Sequence, residues 1–205
     1  MSSLLSEHMS LFQNRCRFYI VVIAISMTIS ASISSDIWAK GRMDACEKSL
    51  PKDLKESIQR TYPEYQLMNL SMLTAVGQKI YSQDSKSGCP GVAKVRFFDK
   101  NKVDYALVIL KKADHDRPYD AIYDQVIAKK GDNPSWDLTI LEKDVHAAPP
   151  AVLALPPGKY TGDDVDGQPR TLESSTEALF VVKYEAWSMV YVSTSNGIEK
   201  VWLSD

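Results

Sequence analysis

The sequence has few of the residues on which most catalytic and metal sites depend. Its 205 residues include three histidines and three cysteines, and 24 basic side chains nearly balance 26 acidic ones. A net charge of -2 lacks the basic excess that attracts nucleic acid or anionic membranes. Ordinary glycine and proline counts, with no internal period, exclude collagen, coiled coils and repeat arrays. The composition predicts a globular domain without a nucleic-acid partner.

The amino terminus has the order of a secretory signal. Arg15 and Arg17 precede an apolar run over residues 18–29, and small residues follow. We expect residues 1–31 to be a signal peptide; an uncleaved anchor is the alternative, although a membrane span needs about 20 apolar residues. The mature chain, 32–205, is predicted to be one periplasmic or secreted domain without a membrane span.

Cysteine usage agrees with that destination. Cys16 lies inside the predicted signal, which leaves Cys46 and Cys89 as an even pair. In an oxidising compartment such a pair predicts a disulfide. Closing this loop of 43 residues would remove on the order of 4 kcal/mol of unfolded-state entropy. The alternative is that Cys89 is a nucleophile, with His115 or His146 as its base.

The mature chain has helical periodicity first and strand periodicity afterwards. Leu50, Leu54 and Ile58 recur every four residues, which predicts a short amphipathic helix. From Val92 onward, four β-branched or aromatic runs alternate with polar loops, which predicts an antiparallel meander. These patterns predict an α+β fold, in which an amino-terminal amphipathic helix packs on a mostly antiparallel meander sheet that ends in a β-hairpin.

The last 60 residues contain a proline-rich segment and a hairpin signal. Five of the ten prolines lie in residues 146–170, which predicts a long proline-rich loop. Asn196-Gly197 is typical of a two-residue turn with positive φ at both residues. A hairpin about this turn would set Tyr191 opposite Trp202.

Five short pieces of the mature chain carry a resemblance. They are residues 89–92, 104–108, 158–160, 184–188 and 200–205. In these pieces the chain resembles a group of small exported bacterial proteins of uncharacterised role. The resemblance implies a bacterial, exported single domain and implies no activity.

Two acidic loops have oxygen ligands at the close spacing that calcium prefers. The first contains Asp163, Asp164 and Asp166 but lacks the downstream glutamate of an EF-hand loop. The second contains Asp99, Asn101 and Asp104, with interleaved lysines that repel a cation. Aspartate and asparagine are also common turn residues, so we predict no metal or other cofactor. His115 lies between two aspartates, where a solvated loop is the simpler interpretation.

Aromatic side chains form the candidate binding surface. Trp187 and Tyr191 alternate onto one face of their strand, and Trp202 would join them from the other arm of the hairpin. If the opposite, valine-rich face is the core, these aromatics can anchor a partner. If the helix covers the aromatics, they belong to the core instead.

Two functions remain open. The first is an exported, non-catalytic domain that binds a protein or an envelope component, as an inhibitor or immunity-type module does. The second is a small carboxylate-dependent hydrolase of the bacterial envelope. A cleft with two carboxyls about 5 to 10 Å apart and one displaced pKa would favour the enzyme.

Overall fold

The computed structural model describes residues 46–85, 88–112, 121–131 and 135–204. These residues belong to one compact unit of the chain, Arg42–Asp205. The predicted signal peptide and His115 lie outside the described residues. Within them, no helix combines the length and the apolar character that crossing a membrane requires.

The fold is mostly β, so the predicted α+β class is wrong. Strands account for 50% of the described chain and helices for 19%, and the strands form two antiparallel sheets. The helices are short: α1 (Lys52–Thr61), α2 (Ala75–Asp84), one 3-10 turn (Leu70–Met72) and a helical segment at residues 46–49. The predicted helix and the predicted meander correspond to α1 and the first sheet only. The sequence pattern did not reveal that the later strands form a second sheet.

The first sheet has five strands. They are β1 (Tyr65–Leu67), β2 (Val92–Val95), β3 (Asp104–Lys111), β4 (Ile122–Lys130) and β5 (Trp136–His146). Strands β2 to β5 pair in sequence order, which confirms the predicted meander, and β1 joins the free part of β3. Leu54 and Ile58 of α1 are buried in one cluster with sheet residues such as Leu107.

The second sheet has six strands in the order β6-β9-β10-β11-β7-β8. They are β6 (Ala151–Leu155), β7 (Gly158–Asp163), β8 (Pro169–Ser174), β9 (Ala178–Lys183), β10 (Trp187–Thr194) and β11 (Gly197–Ser204). The expected loop at 146–170 therefore contains β6 and β7. Its prolines flank these strands, and Pro169 begins an edge strand, where a missing N–H is tolerated.

The main core lies between the two sheets. It joins Val108 and Ile127 of the first sheet to Val181 and Met189 of the second. The second sheet also curls, because β8 contacts β10 although two strands lie between them in the sheet order. Its other face is therefore covered as well, and Leu172 of β8 packs in the same cluster as the valines of β10.

The terminal hairpin forms as predicted, but its register differs by two residues. Thr194 pairs with Gly197 and Val190 with Val201, so the turn centres on Ser195 and Asn196. Gly197 has a φ of 116°, whereas Asn196 is not in the positive-φ region. This is the arrangement in which glycine follows the turn instead of occupying its centre. A shift of two residues preserves the faces, so the predicted alternation of aromatic and valine faces holds.

Candidate functional site

The predicted disulfide is confirmed. The Sγ atoms of Cys46 and Cys89 are 2.09 Å apart, and both residues are buried. The bond links the helical residues 46–49 to the turn that precedes β2. It therefore fastens the start of the described chain to the first sheet.

The aromatic residues of the terminal hairpin lie mostly inside the molecule. Tyr191 is 3% exposed, because the first sheet covers this face of the second. Trp187 and Trp202 are half-buried at the edge of the same core, with ring centres 5.5 Å apart and planes at 78°. Tyr191 is thus a core residue, and the two tryptophans form a packed pair instead of an open patch.

The carboxylates of the candidate calcium loops hold turns. Asp164 Oδ1 accepts the N–H groups of Asp166 and Gln168, each at 2.9 Å. In the second loop, Asp104 Oδ2 accepts the N–H groups of Phe97 and Phe98. Among the described residues no group of three acidic, histidine or cysteine side chains could hold a metal ion.

A groove separates α1 from β1 on the outer side of the first sheet. Its volume is about 340 Å³, and we call it the tyrosine groove. Its lining includes Glu47, Leu50, Lys55, Ile58, Gln59, Tyr62, Tyr65, Leu67 and Lys112. The aliphatic members are Leu50, just before α1, Ile58 of α1 and Leu67 of β1, whereas the charged members are more exposed. The groove is therefore amphipathic.

The two tyrosines are placed by the sharp end of α1. The N–H of Tyr62 donates to Ile58 O at 2.7 Å, and the N–H of Tyr65 donates to Tyr62 O at 3.1 Å. Pro63 has no N–H to donate and cannot continue the helix. The resulting turn sets the two rings edge to face, with centres 5.5 Å apart.

A buried carboxylate acts on both tyrosines. Asp124 of β4 is 1% exposed, and its Oδ1 accepts the N–H of Asp144 at 2.9 Å. The β4–β5 pairing is irregular here, and Asp144 has a positive φ of 53°. Burial and the negative charge of Asp124 raise the pKa of Tyr62 and of Tyr65. Both phenols are protonated at neutral pH, as ordinary tyrosines are, and the raised pKa extends that protonation to higher pH.

Lys111 lies beside Tyr65 and Asp144, on the side that faces solvent. Its Nζ lies 3.4 Å from the Asp144 carboxylate and 5.9 Å from the centre of the Tyr65 ring. Since both phenols are protonated, they are hydrogen-bond donors and acceptors rather than nucleophiles or bases. The arrangement suits recognition of a group that is apolar in part and polar in part.

Sequence reasoning missed the tyrosine groove. Tyr62 and Asp124 are distant in sequence, and tertiary structure brings them together. One signal was available, because Asp124 and Gln125 interrupt the apolar part of β4, residues 122–128. A buried acid inside a strand needs partners, and those partners mark the site.

No protein family, no curated protein and no solved structure matches this chain.

Proposed function

We propose that the protein is an exported binding domain and that the tyrosine groove receives a segment of a protein partner. The observation that carries the proposal is the groove itself: an aliphatic floor beside two tyrosine rings that pack edge to face. Tyrosine is enriched at protein interfaces because one ring supplies both a large apolar surface and a hydroxyl.

The charges of the lining support a protein partner over a sugar chain. Glu47 supplies a negative charge, and Lys55 and Lys112 supply positive charges around an aliphatic floor. A polypeptide segment can match both signs of charge while it inserts an apolar side chain. An uncharged sugar can hydrogen-bond to these side chains but leaves their charges unbalanced. The disulfide fits an oxidising compartment, where an inhibitor or immunity-type module would meet its target.

A pair of tryptophan substitutions on α1 tests the proposal. Gln59 lines the groove, whereas Glu56, on the same helix, is exposed and is not part of the lining. Gln59→Trp should fill the groove, and Glu56→Trp adds the same bulk outside it. Both variants should fold, which circular dichroism and a urea titration check.

The readout is capture of partners from a bacterial envelope extract, followed by direct calorimetry with the purified partner. We expect the parent and Glu56→Trp to bind the same partner protein with equal affinity. Gln59→Trp should bind that partner at least about tenfold more weakly, which is a loss of about 1.4 kcal/mol of binding free energy. Equal binding by Gln59→Trp would show that the partner uses another surface.

A further inference from the structure

A second concavity lies on the same side of the first sheet, beside the start of α1. Its volume is about 360 Å³, and we call it the Trp136 pocket. Its walls include Pro51, Lys102, Val103, Tyr105, Lys130 and Trp136. This size is in the range of small-molecule sites, and none of these residues lines the tyrosine groove.

The indole N–H of Trp136 is the first indication of a ligand. Trp136 is 7% exposed, and its Nε1 has no hydrogen-bond acceptor among the described residues. The ring is fixed by Tyr105, whose ring meets it edge to face at 5.5 Å. An indole can only donate, and buried tryptophan N–H groups usually have an acceptor. A bound acceptor would remove the cost of leaving this donor unpaired.

The other polar side chains of the lining are donors too. Lys102 and Lys130 are cationic, and the Tyr105 hydroxyl can donate as well as accept. Burial and the negative charge of Asp53 raise the pKa of Tyr105. Lys130 Nζ lies 5.5 Å from the centre of the Trp136 ring and 3.8 Å from Asp53 Oδ2. Asp53 is not part of the lining, and the described lining contains no carboxylate.

We propose that the Trp136 pocket binds the carboxylate of a small aromatic acid. An ionised carboxylate only accepts hydrogen bonds, so it complements a lining whose polar side chains donate. One carboxylate oxygen accepts the Trp136 N–H, and Lys130, which also contacts Asp53, adds positive charge beside it. The aromatic body of the ligand lies against Val103, which is 41% exposed. This site is separate from the tyrosine groove, so its occupancy does not depend on the proposed protein partner.

The test follows the indole N–H signals of the four tryptophans by NMR during titration with benzoate. Single tryptophan-to-phenylalanine variants assign the signals, and if Trp136→Phe does not fold, the other three assign Trp136 by elimination. We expect saturable downfield movement of the Trp136 signal. Benzamide has the same shape without the charge and should bind at least about tenfold more weakly, since hydrogen bonds to charged groups are the stronger ones.

A matched pair of lysine substitutions tests the cation. Lys130→Gln should weaken benzoate binding about tenfold or more, whereas Lys129→Gln should change it less than about twofold. Lys129 is the neighbour on the same strand, its Nζ lies 5.1 Å from the ring centre of Phe98, and it is outside the pocket lining.

A second probe distinguishes the source of the carboxylate. N-acetylphenylalanine represents the carboxyl-terminal residue of a chain, and benzoate represents a free acid. Binding of either probe at Trp136 supports the proposal, and the tighter one identifies the source. An unmoved Trp136 signal with both probes would overturn the proposal, as would equal weakening by Lys129→Gln and Lys130→Gln.

Discussion

At the residue scale, two glycines of β7 have different surroundings. A Cβ at Gly162 would overlap the backbone carbonyl of Trp202, whereas a Cβ at Gly158 would meet nothing within 4 Å. We expect Gly162→Ala to lower the free energy of unfolding by about 1 to 3 kcal/mol, because backbone atoms must move apart. Gly158→Ala should change it by less than about 1 kcal/mol. Urea titrations measure both, and equal effects would contradict the close approach of β7 and β11.

Asp104 gives a prediction about pH. Burial raises its pKa above 3.8 in the folded chain, despite the two N–H groups that its carboxylate accepts. The folded state therefore binds this proton more tightly than the unfolded state. The stability of the parent relative to Asp104→Asn should be greatest below pH 3.8 and should fall as the pH rises through the folded pKa. Urea titrations of the parent and of Asp104→Asn at a series of pH values, from below 3.8 upward, test this prediction. A stability of the parent relative to Asp104→Asn that grows with pH would contradict it.

At the element scale, the terminal hairpin depends on one glycine. Gly197 has a φ of 116°, a conformation that side chains with a Cβ rarely adopt. Gly197→Val should therefore destabilise the fold by more than about 1 kcal/mol. Asn196→Ala is the control, and it should cost less than about 0.5 kcal/mol because Asn196 is exposed and is not in the positive-φ region. A cost for Asn196→Ala close to that of Gly197→Val would instead indicate the register expected from the sequence, in which both residues have a positive φ.

The tryptophan pair of the same hairpin tests the packing of its aromatic face. Trp187 and Trp202 meet edge to face at the edge of the core. We expect Trp187→Ala to cost about 2 kcal/mol or more, because it removes half-buried aromatic surface. A double-mutant cycle with Trp202→Ala should give a coupling of about 0.5 to 1.5 kcal/mol. Strict additivity of the two substitutions would mean that the rings do not touch in solution.

At the scale of the whole molecule, the sequence could predict local pattern but not the second sheet. Strands β2 to β5 alternate with period two, and the even pair Cys46 and Cys89 predicted a disulfide. The sequence pattern did not predict β6, because this strand has only five residues and four prolines flank it, at positions 149, 150, 156 and 157. The tyrosine groove escaped prediction because Tyr65 and Asp124 meet only through tertiary structure.

The disulfide should stabilise the whole domain. Because it constrains the unfolded chain, Cys46→Ala/Cys89→Ala should lower the free energy of unfolding by about 2 to 5 kcal/mol. The oxidised parent should show no reactive thiol from Cys46 or Cys89 under denaturing conditions until reductant is added. Labelling either residue before reduction, identified by mass spectrometry, would contradict the bond.

The measurement that tests the binding proposal most directly is amide hydrogen exchange of the protein, alone and with its captured partner. The tyrosine groove is formed by part of residues 46–50, the later turns of α1, the turn at Pro63 and β1, and Tyr62 and Tyr65 lie in its last two parts. We therefore predict that the partner slows exchange chiefly in residues 58–67 and at Lys112. Protection confined to the second sheet, with residues 58–67 unchanged, would contradict the assignment of the groove as the binding site.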